Sequence, residues 1–138
     1  MNITPDFITS LRPNQIFCYG ANSRWVHGAG AAKTALNKFG AKMGVGPFCG
    51  QSYGICTKDH NIETLPVPKI KAYVDEFLVF ARGHPEYDFL VTKVGMGLAG
   101  LTLEETAPLF EKAVGMNNVY LPKEFFDFLK VSFKRDNL

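Results

Sequence analysis

The sequence lacks the features that mark several specialised classes of protein. It has no apolar run long enough to cross a bilayer, so no membrane association is expected. An excess of one charge is also missing, because 15 basic residues face 13 acidic ones and the formal net charge is +2. A dedicated nucleic-acid binder usually has a larger basic excess, so no direct nucleic-acid partner is expected.

Cysteine is scarce, and its arrangement is uninformative. Cys18, Cys49 and Cys56 are odd in number, and their spacing matches neither a disulfide framework nor a zinc motif. Residues 1–6 lack the basic and apolar regions of a signal peptide. We therefore expect a cytoplasmic protein without a metal site or cofactor; the sequence leaves the oligomeric state open.

What is present predicts one domain of ordinary composition over residues 1–138. Hydrophobic residues make up 46% of the chain, which is long enough to bury a core without disulfides. Short apolar runs predict strands, and apolar residues at helical spacing predict helices. The strands are expected at 15–19, 53–57, 89–94 and 118–121, and the helices at 31–39, between Pro68 and Gly83, from 102 onward and at 123–133. Their alternation predicts an α/β fold with a mostly parallel or mixed sheet flanked by helices.

Two glycine-rich loops follow predicted strands. Residues 20–30 lead from the first strand into a helix, and residues 95–100 lead from the third strand to a helix that opens with a Thr102–Glu105 capping box. Glycine lets backbone N–H groups approach an anion, and a helix N-terminus supplies further donors. The carboxyl ends of strands in open α/β sheets are also where ligands bind. The pattern predicts a cleft for two anionic groups, or for one diphosphate held from both sides.

Four stretches carry a resemblance to a known family. They are Ile-Phe-Cys-Tyr-Gly-Ala-Asn, His-Gly-Ala-Gly-Ala-Ala, Ser-Tyr-Gly-Ile-Cys-Thr-Lys-Asp and Gly-Met-Gly-Leu-Ala-Gly, within residues 15–122. Together they resemble the macrodomains, and more closely a group of uncharacterised small phage and bacterial proteins of macrodomain-like appearance. The resemblance implies a macrodomain-like three-layer fold that binds ADP-ribose or a related nucleotide, with hydrolysis of an ADP-ribosyl linkage as a further hypothesis.

The resemblance also implies an orientation for the ligand. It places Asn22 near the distal ribose, residues 27–31 around that ribose and its phosphate, and residues 95–100 against the diphosphate. The adenine would stack at the outer edge. Many macrodomains bond the adenine amino group with an acidic residue before or beside the first strand, and no clean equivalent is evident here.

The residues predicted to bind the ligand share a position on these loops or at the ends of the strands. They are Gly20, Asn22, Gly28, Ala29, Gly30, Lys33, Thr57, Gly95, Met96, Gly97, Leu98, Ala99 and Gly100.

Four residues are candidates for catalysis, and each has a structural alternative. Asn22 contacts a ribose hydroxyl or satisfies its own turn. His27 acts as a general acid or phosphate ligand, or faces solvent. Lys58 and Asp59 form a catalytic pair in which the lysine attacks an anomeric carbon, or a plain surface ion pair. Trp25 is a second kind of candidate, as a stacking surface for the ligand or a side chain packed down as a lid.

Three functional classes follow. The first is a module that binds ADP-ribose or a related nucleotide, with hydrolysis of an ADP-ribosyl linkage as a separate hypothesis. The second is a non-catalytic sponge or sensor of phage origin for a nucleotide signal. The third is an interaction module with a vestigial site and an apolar surface around Phe125, Phe126 and Phe133. The basic stretch 130–135 is interpreted as a solvated helix end.

Overall fold

A computed structural model describes residues 2–136, with side-chain surroundings described for residues 2–130. Within that part of the chain there are five strands and four α-helices. The elements are β1 Gln15–Asn22, α1 Gly30–Lys38, β2 Phe48–Cys49, β3 Ser52–Lys58, α2 Val67–Arg82, β4 Asp88–Val91, α3 Leu103–Thr106, β5 Val119–Tyr120 and α4 Lys123–Asp136. A 3₁₀ helix, Ala107–Ala113, continues α3. None of the helices found over residues 2–136 is long and apolar enough to span a membrane.

The sheet is mixed, with strand order β2-β3-β1-β4-β5. The central strand β1 pairs in parallel with β3 and β4, β5 pairs in parallel with β4, and β2 is antiparallel to β3. The expected α/β fold with a mixed sheet is confirmed. Because β1, β3 and β4 run in one direction, their carboxyl ends lie at the same edge of the sheet.

Both faces of the sheet are buried. Alternate residues of β1 point to opposite faces, so that Ile16 and Cys18 lie in one core and Phe17 and Tyr19 in the other. The first core contains residues of α2, the 3₁₀ helix and α4, and the second contains residues of α1 and residues 39–41. Burial on both faces explains why the strands are almost continuously apolar.

Some predicted strand boundaries were wrong at the carboxyl edge of the sheet. β1 continues past Tyr19 to Asn22, and β4 ends at Val91 instead of residue 94. The N–H and hydroxyl of Thr92 both donate to the Cys18 carbonyl, at 3.1 and 2.8 Å, and the chain then turns. The two-residue strand β2, which lies in the glycine-rich segment 43–52, was also not expected from the sequence.

The predicted capping box is confirmed. The Thr102 hydroxyl accepts from the Glu105 N–H at 3.2 Å, and the Glu105 carboxylate accepts from the Thr102 N–H at 3.0 Å. Pro108 lacks an N–H, which makes it a poor residue inside an α-helix. The chain accordingly leaves α-helical geometry after Thr106 and continues as the 3₁₀ helix.

The apolar surface predicted on the last helix is wrong for Phe125. This side chain is fully buried and packs against Phe110, with ring centroids 5.6 Å apart. Phe126 is partly buried against the same core. The side chain of Phe133 and most of the basic stretch 130–135 lie outside the residues whose side chains are described.

Candidate functional site

The two glycine-rich loops line one cavity of about 400 Å³ at the carboxyl edge of β1 and β3, hereafter the cleft. The loops are close neighbours: a Cβ on Gly20 would lie 3.6 Å from the Gly95 nitrogen, and a Cβ on Gly30 would lie 3.7 Å from Leu98 Cδ1. Most of the predicted ligand-binding residues line it. They are Gly20, Asn22, Gly28, Ala29, Gly30, Thr57, Gly95, Gly97, Leu98 and Ala99, and Lys58 joins them.

Three predicted ligand-binding residues do not line the cleft. Lys33 is exposed on α1, and its N–H closes the first helical bond to the Ala29 carbonyl. Met96 packs partly against the core and reaches a neighbouring cavity. Gly100 donates its N–H back to the Gly97 carbonyl and closes the loop.

Backbone N–H groups on both loops are left free. In the part of the chain that the structure describes, no protein acceptor meets the N–H groups of residues 28–32, nor those of Gly95 and residues 97–99. Ala29 caps α1 without a side-chain hydrogen bond, and the first turn of that helix has no acidic residue. The positive end of α1 is therefore uncapped beside the cleft, which is a favourable place for an anion.

The side chains around the cleft add positive charge. Lys58 and Lys93 line it, and its described lining contains no Asp, Glu, His or Cys. Lys93 Nζ lies 3.7 Å from a carboxylate oxygen of Glu124, but both side chains are about half exposed, so this pair is weak. The electrostatics of the cleft favour an anionic ligand.

Asn22 organises the first loop. Its side-chain oxygen accepts from the N–H groups of Arg24 and Val26, both at 3.2 Å, and its side-chain nitrogen donates to the Val26 carbonyl at 2.9 Å. The side chain is 9% exposed and lines the cleft. The turn-stabilising interpretation is thus confirmed, and one N–H of the amide is left for a ligand.

His27 faces the protein interior, so the expectation that it faces solvent is wrong. Its Nε2 lies 2.9 Å from the Tyr19 hydroxyl, and the side chain is 2% exposed and absent from the cleft lining. Burial lowers the pKa of His27 and raises that of Tyr19, because both charged forms lose water. A neutral imidazole held away from the cleft is poorly placed to act as a general acid there.

Lys58 and Asp59 diverge. Lys58 lines the cleft, whereas the Asp59 carboxylate accepts from the N–H groups of Asn61 and Glu63 at 2.8 and 3.0 Å. No ion pair between the two is found in the described part of the chain. Asp59 therefore holds a turn, and the structure supports neither the catalytic pair nor the surface ion pair.

Trp25 packs down onto the sheet. A Cβ on Gly54 in β3 would lie 2.5 Å from its ring, and a Cβ on Gly46 would overlap the same ring. Trp25 does not line the cleft and has a positive φ of 57°. Of the two interpretations the sequence left open, packing against the protein is the one observed.

A second cavity of about 640 Å³ adjoins the cleft and shares Ala31, Thr92, Lys93 and Gly97 with it. Residues 4–9 line its outer side. The buried Thr4 hydroxyl has no hydrogen-bond partner among the described residues. The exposed carboxylate of Asp6 and the side chain of Phe7, 90% exposed, belong to the same wall.

The position of Asp6 beside the second cavity was not predicted, because it depends on a contact between distant parts of the chain. Ile3 pairs with Leu121, and the Thr4 N–H donates to the Leu121 carbonyl at 2.8 Å. This bridge brings the first residues beside β5 and carries Asp6 to the second cavity. No local sequence pattern predicts a pairing between residues so far apart.

The comparisons with known proteins add no relative. No protein-family model, no curated protein and no solved structure matches this chain.

Proposed function

We propose that this protein binds ADP-ribose or a related nucleotide derivative, with the diphosphate between the two glycine-rich loops. The observation that carries the proposal is the set of free N–H groups on residues 28–32 and 97–99, because both groups of residues line the same cavity. Lys58 and Lys93 supply charge at the same place. The arrangement suits a ligand with at least two negative charges.

The second cavity supports a nucleotide over a bare diphosphate. Asp6 supplies an acidic group before β1, which the macrodomain resemblance calls for at the adenine amino group. Phe7 lines the same cavity and offers exposed aromatic surface to a base. In this proposal the fold is macrodomain-like, with the base beside Asp6 and the far ribose beside Asn22.

A thermal-shift panel tests binding. ADP-ribose, ADP, NAD and cyclic ADP-ribose are added to the purified protein at increasing concentration. A ligand present at about a hundred times its dissociation constant stabilises the folded state by about 2.7 kcal/mol, and we expect ADP-ribose or a close derivative to give such a shift. Asp6→Ala should reduce the shift from adenine nucleotides and leave the unliganded melting temperature nearly unchanged, because Asp6 is exposed.

Uridine diphosphate ribose serves as the matched control for the base, because it keeps the diphosphate and both sugars. A larger shift with ADP-ribose that Asp6→Ala removes supports adenine recognition. If none of the nucleotides shifts the melting temperature, the loops are structural turns and the proposed function is wrong.

Hydrolysis of an ADP-ribosyl linkage is a second proposal, and Lys58 is the observation that favours it. It lines the cleft and is the strand partner of Asn22, the residue proposed to lie beside the distal ribose. There the side-chain nitrogen of Lys58 would attack the anomeric carbon, while the leaving group departs with the bonding electron pair and takes up the proton that the nitrogen loses. Water would then release the sugar from the lysine.

Lys58→Met tests this step. We expect a loss of turnover of about a hundredfold or more, with ADP-ribose affinity reduced by no more than about tenfold, because methionine keeps the stem and removes only the amine. Lys33→Met is the matched control, since Lys33 is an exposed lysine outside the cleft. Product formation is followed by chromatography. Stoichiometric binding without any product would favour the sponge or sensor instead.

A further inference from the structure

Ile62 has an unusual backbone conformation at the rim of the cleft. Its φ is +63°, in the left-handed region that β-branched residues rarely adopt. The residue lines the cleft and is 41% exposed. A strained residue at a ligand cavity, with a large apolar side chain partly in water, calls for an explanation beyond packing.

The turn around Ile62 is held from several sides. The Asp59 carboxylate accepts from the flanking N–H groups of Asn61 and Glu63, and the Asp59 carbonyl accepts from the Ile62 N–H at 3.0 Å. The Thr64 hydroxyl donates to the Ala99 carbonyl at 2.9 Å, which ties the turn to the second glycine-rich loop. These bonds fix Ile62 in place relative to that loop.

Leu98 is the other large apolar side chain on the cleft rim. It is 70% exposed and reaches over Gly30. Neither Ile62 nor Leu98 belongs to the described core clusters, so neither side chain is needed to fill the interior. The rest of the cleft lining consists of glycine and alanine residues, the polar residues Asn22, Thr57 and Thr92, two lysines and the smaller apolar residue Val26. Two aliphatic side chains among polar donors suit a ligand that has both negatively charged groups and an apolar surface.

We propose that Ile62 is a specificity-determining residue that, with Leu98, contacts the carbon face of the ligand's terminal sugar. This inference rests on the proposed function. A base in the second cavity and phosphates between the loops direct the terminal sugar away from the junction at Ala31 and Thr92. Lys58 and Ile62 line the cleft but not the second cavity, so they belong to the part of the site that remains for the terminal sugar.

Ile62→Asn tests the proposal by calorimetric titration with ADP-ribose and with ADP, which lacks the terminal sugar. Asparagine tolerates a positive φ and removes the apolar group. We expect ADP-ribose to bind about tenfold more weakly while ADP binds as in the wild type, with an equal or higher melting temperature. Val79→Asn, at an apolar position 65% exposed on α2, is the matched control and should change neither affinity.

Ile62→Gly repeats the test with a residue that adopts positive φ freely, so a folding defect of one variant does not decide the result. Unchanged affinity for ADP-ribose in both variants, or equal weakening of ADP-ribose and ADP, overturns the inference and leaves the proposed function standing. A wild-type protein that binds neither nucleotide overturns both.

Discussion

Replacing Gly97 with glutamate is expected to abolish nucleotide binding and leave the fold intact. Gly97 is exposed, its φ lies outside the left-handed region, and a Cβ placed on it would meet no atom within 4 Å. The backbone therefore accepts a side chain there without strain. The new carboxylate would lie at the junction of the cleft and the second cavity, which both include Gly97.

The expected loss of affinity in Gly97→Glu follows from electrostatics. Two like charges 4 Å apart repel by about 4 kcal/mol at an effective dielectric constant of 20, which corresponds to roughly a thousandfold in affinity. The carboxylate also competes for the free N–H groups of residues 97–99. Allowing for movement of the side chain, we expect calorimetric titration to show a loss of at least about a hundredfold for ADP-ribose.

Two variants separate charge, bulk and stability in this experiment. Gly97→Gln has the same length without the charge and should weaken binding less. Gly83→Glu introduces the same side chain at an exposed glycine with a φ of −77°, outside both cavities, and should bind ADP-ribose as the wild type does. Wild-type affinity in Gly97→Glu would mean that no phosphate lies between the loops.

The fold could be predicted largely from sequence because its signals are local. The helical spacing of Ile70, Val74 and Phe77 marks α2, and these side chains are buried as that pattern requires. The apolar run of β1 likewise marks a strand buried on both faces. Its end could not be predicted, because pairing with β3 continues through Asn22, with a register shift between Ala21 and Asn22.

The positions of the loops could be predicted, because they follow from the direction of the strands. The orientations of individual side chains could not. Parallel strands bring residues 28–30 and 95–99 to one edge whatever their side chains do. His27 and Asp59 are next to residues that line the cleft, yet one bonds Tyr19 and the other bonds its own turn. A single sequence does not show which way such side chains rotate.

The packing of Trp25 against the sheet positions the first glycine-rich loop. The Trp25 ring occupies the space that a side chain at Gly54 would fill. The backbone N–H of Trp25 donates to the Asn22 carbonyl at 2.9 Å. Its carbonyl accepts from the Gly44 N–H at 2.8 Å. The first glycine-rich loop is thus held on the sheet by a tryptophan that requires glycine beneath it.

Gly54→Ala is therefore expected to destabilise the protein by about 1–3 kcal/mol, the usual range for overpacking a core. The added methyl would lie 2.5 Å from the Trp25 ring, 3.0 Å from Ala21 Cβ and 3.1 Å from Tyr19 Cζ. Urea unfolding should show a lower midpoint with an unchanged slope. Gly83→Ala, where a Cβ makes only ordinary contacts at 3.6 Å, should change stability by no more than about 1 kcal/mol.

The same substitution should weaken ADP-ribose binding although Gly54 does not line the cleft, because a displaced Trp25 moves the loop that Asn22 organises. In a Trp25→Ala background the ring is absent. Gly54→Ala should then destabilise the protein less, because only the contacts with Ala21 and Tyr19 remain. Equal destabilisation by Gly54→Ala in both backgrounds would show that the added methyl acts on the sheet and not on Trp25. The position of the loop would then not depend on how Trp25 packs against Gly54.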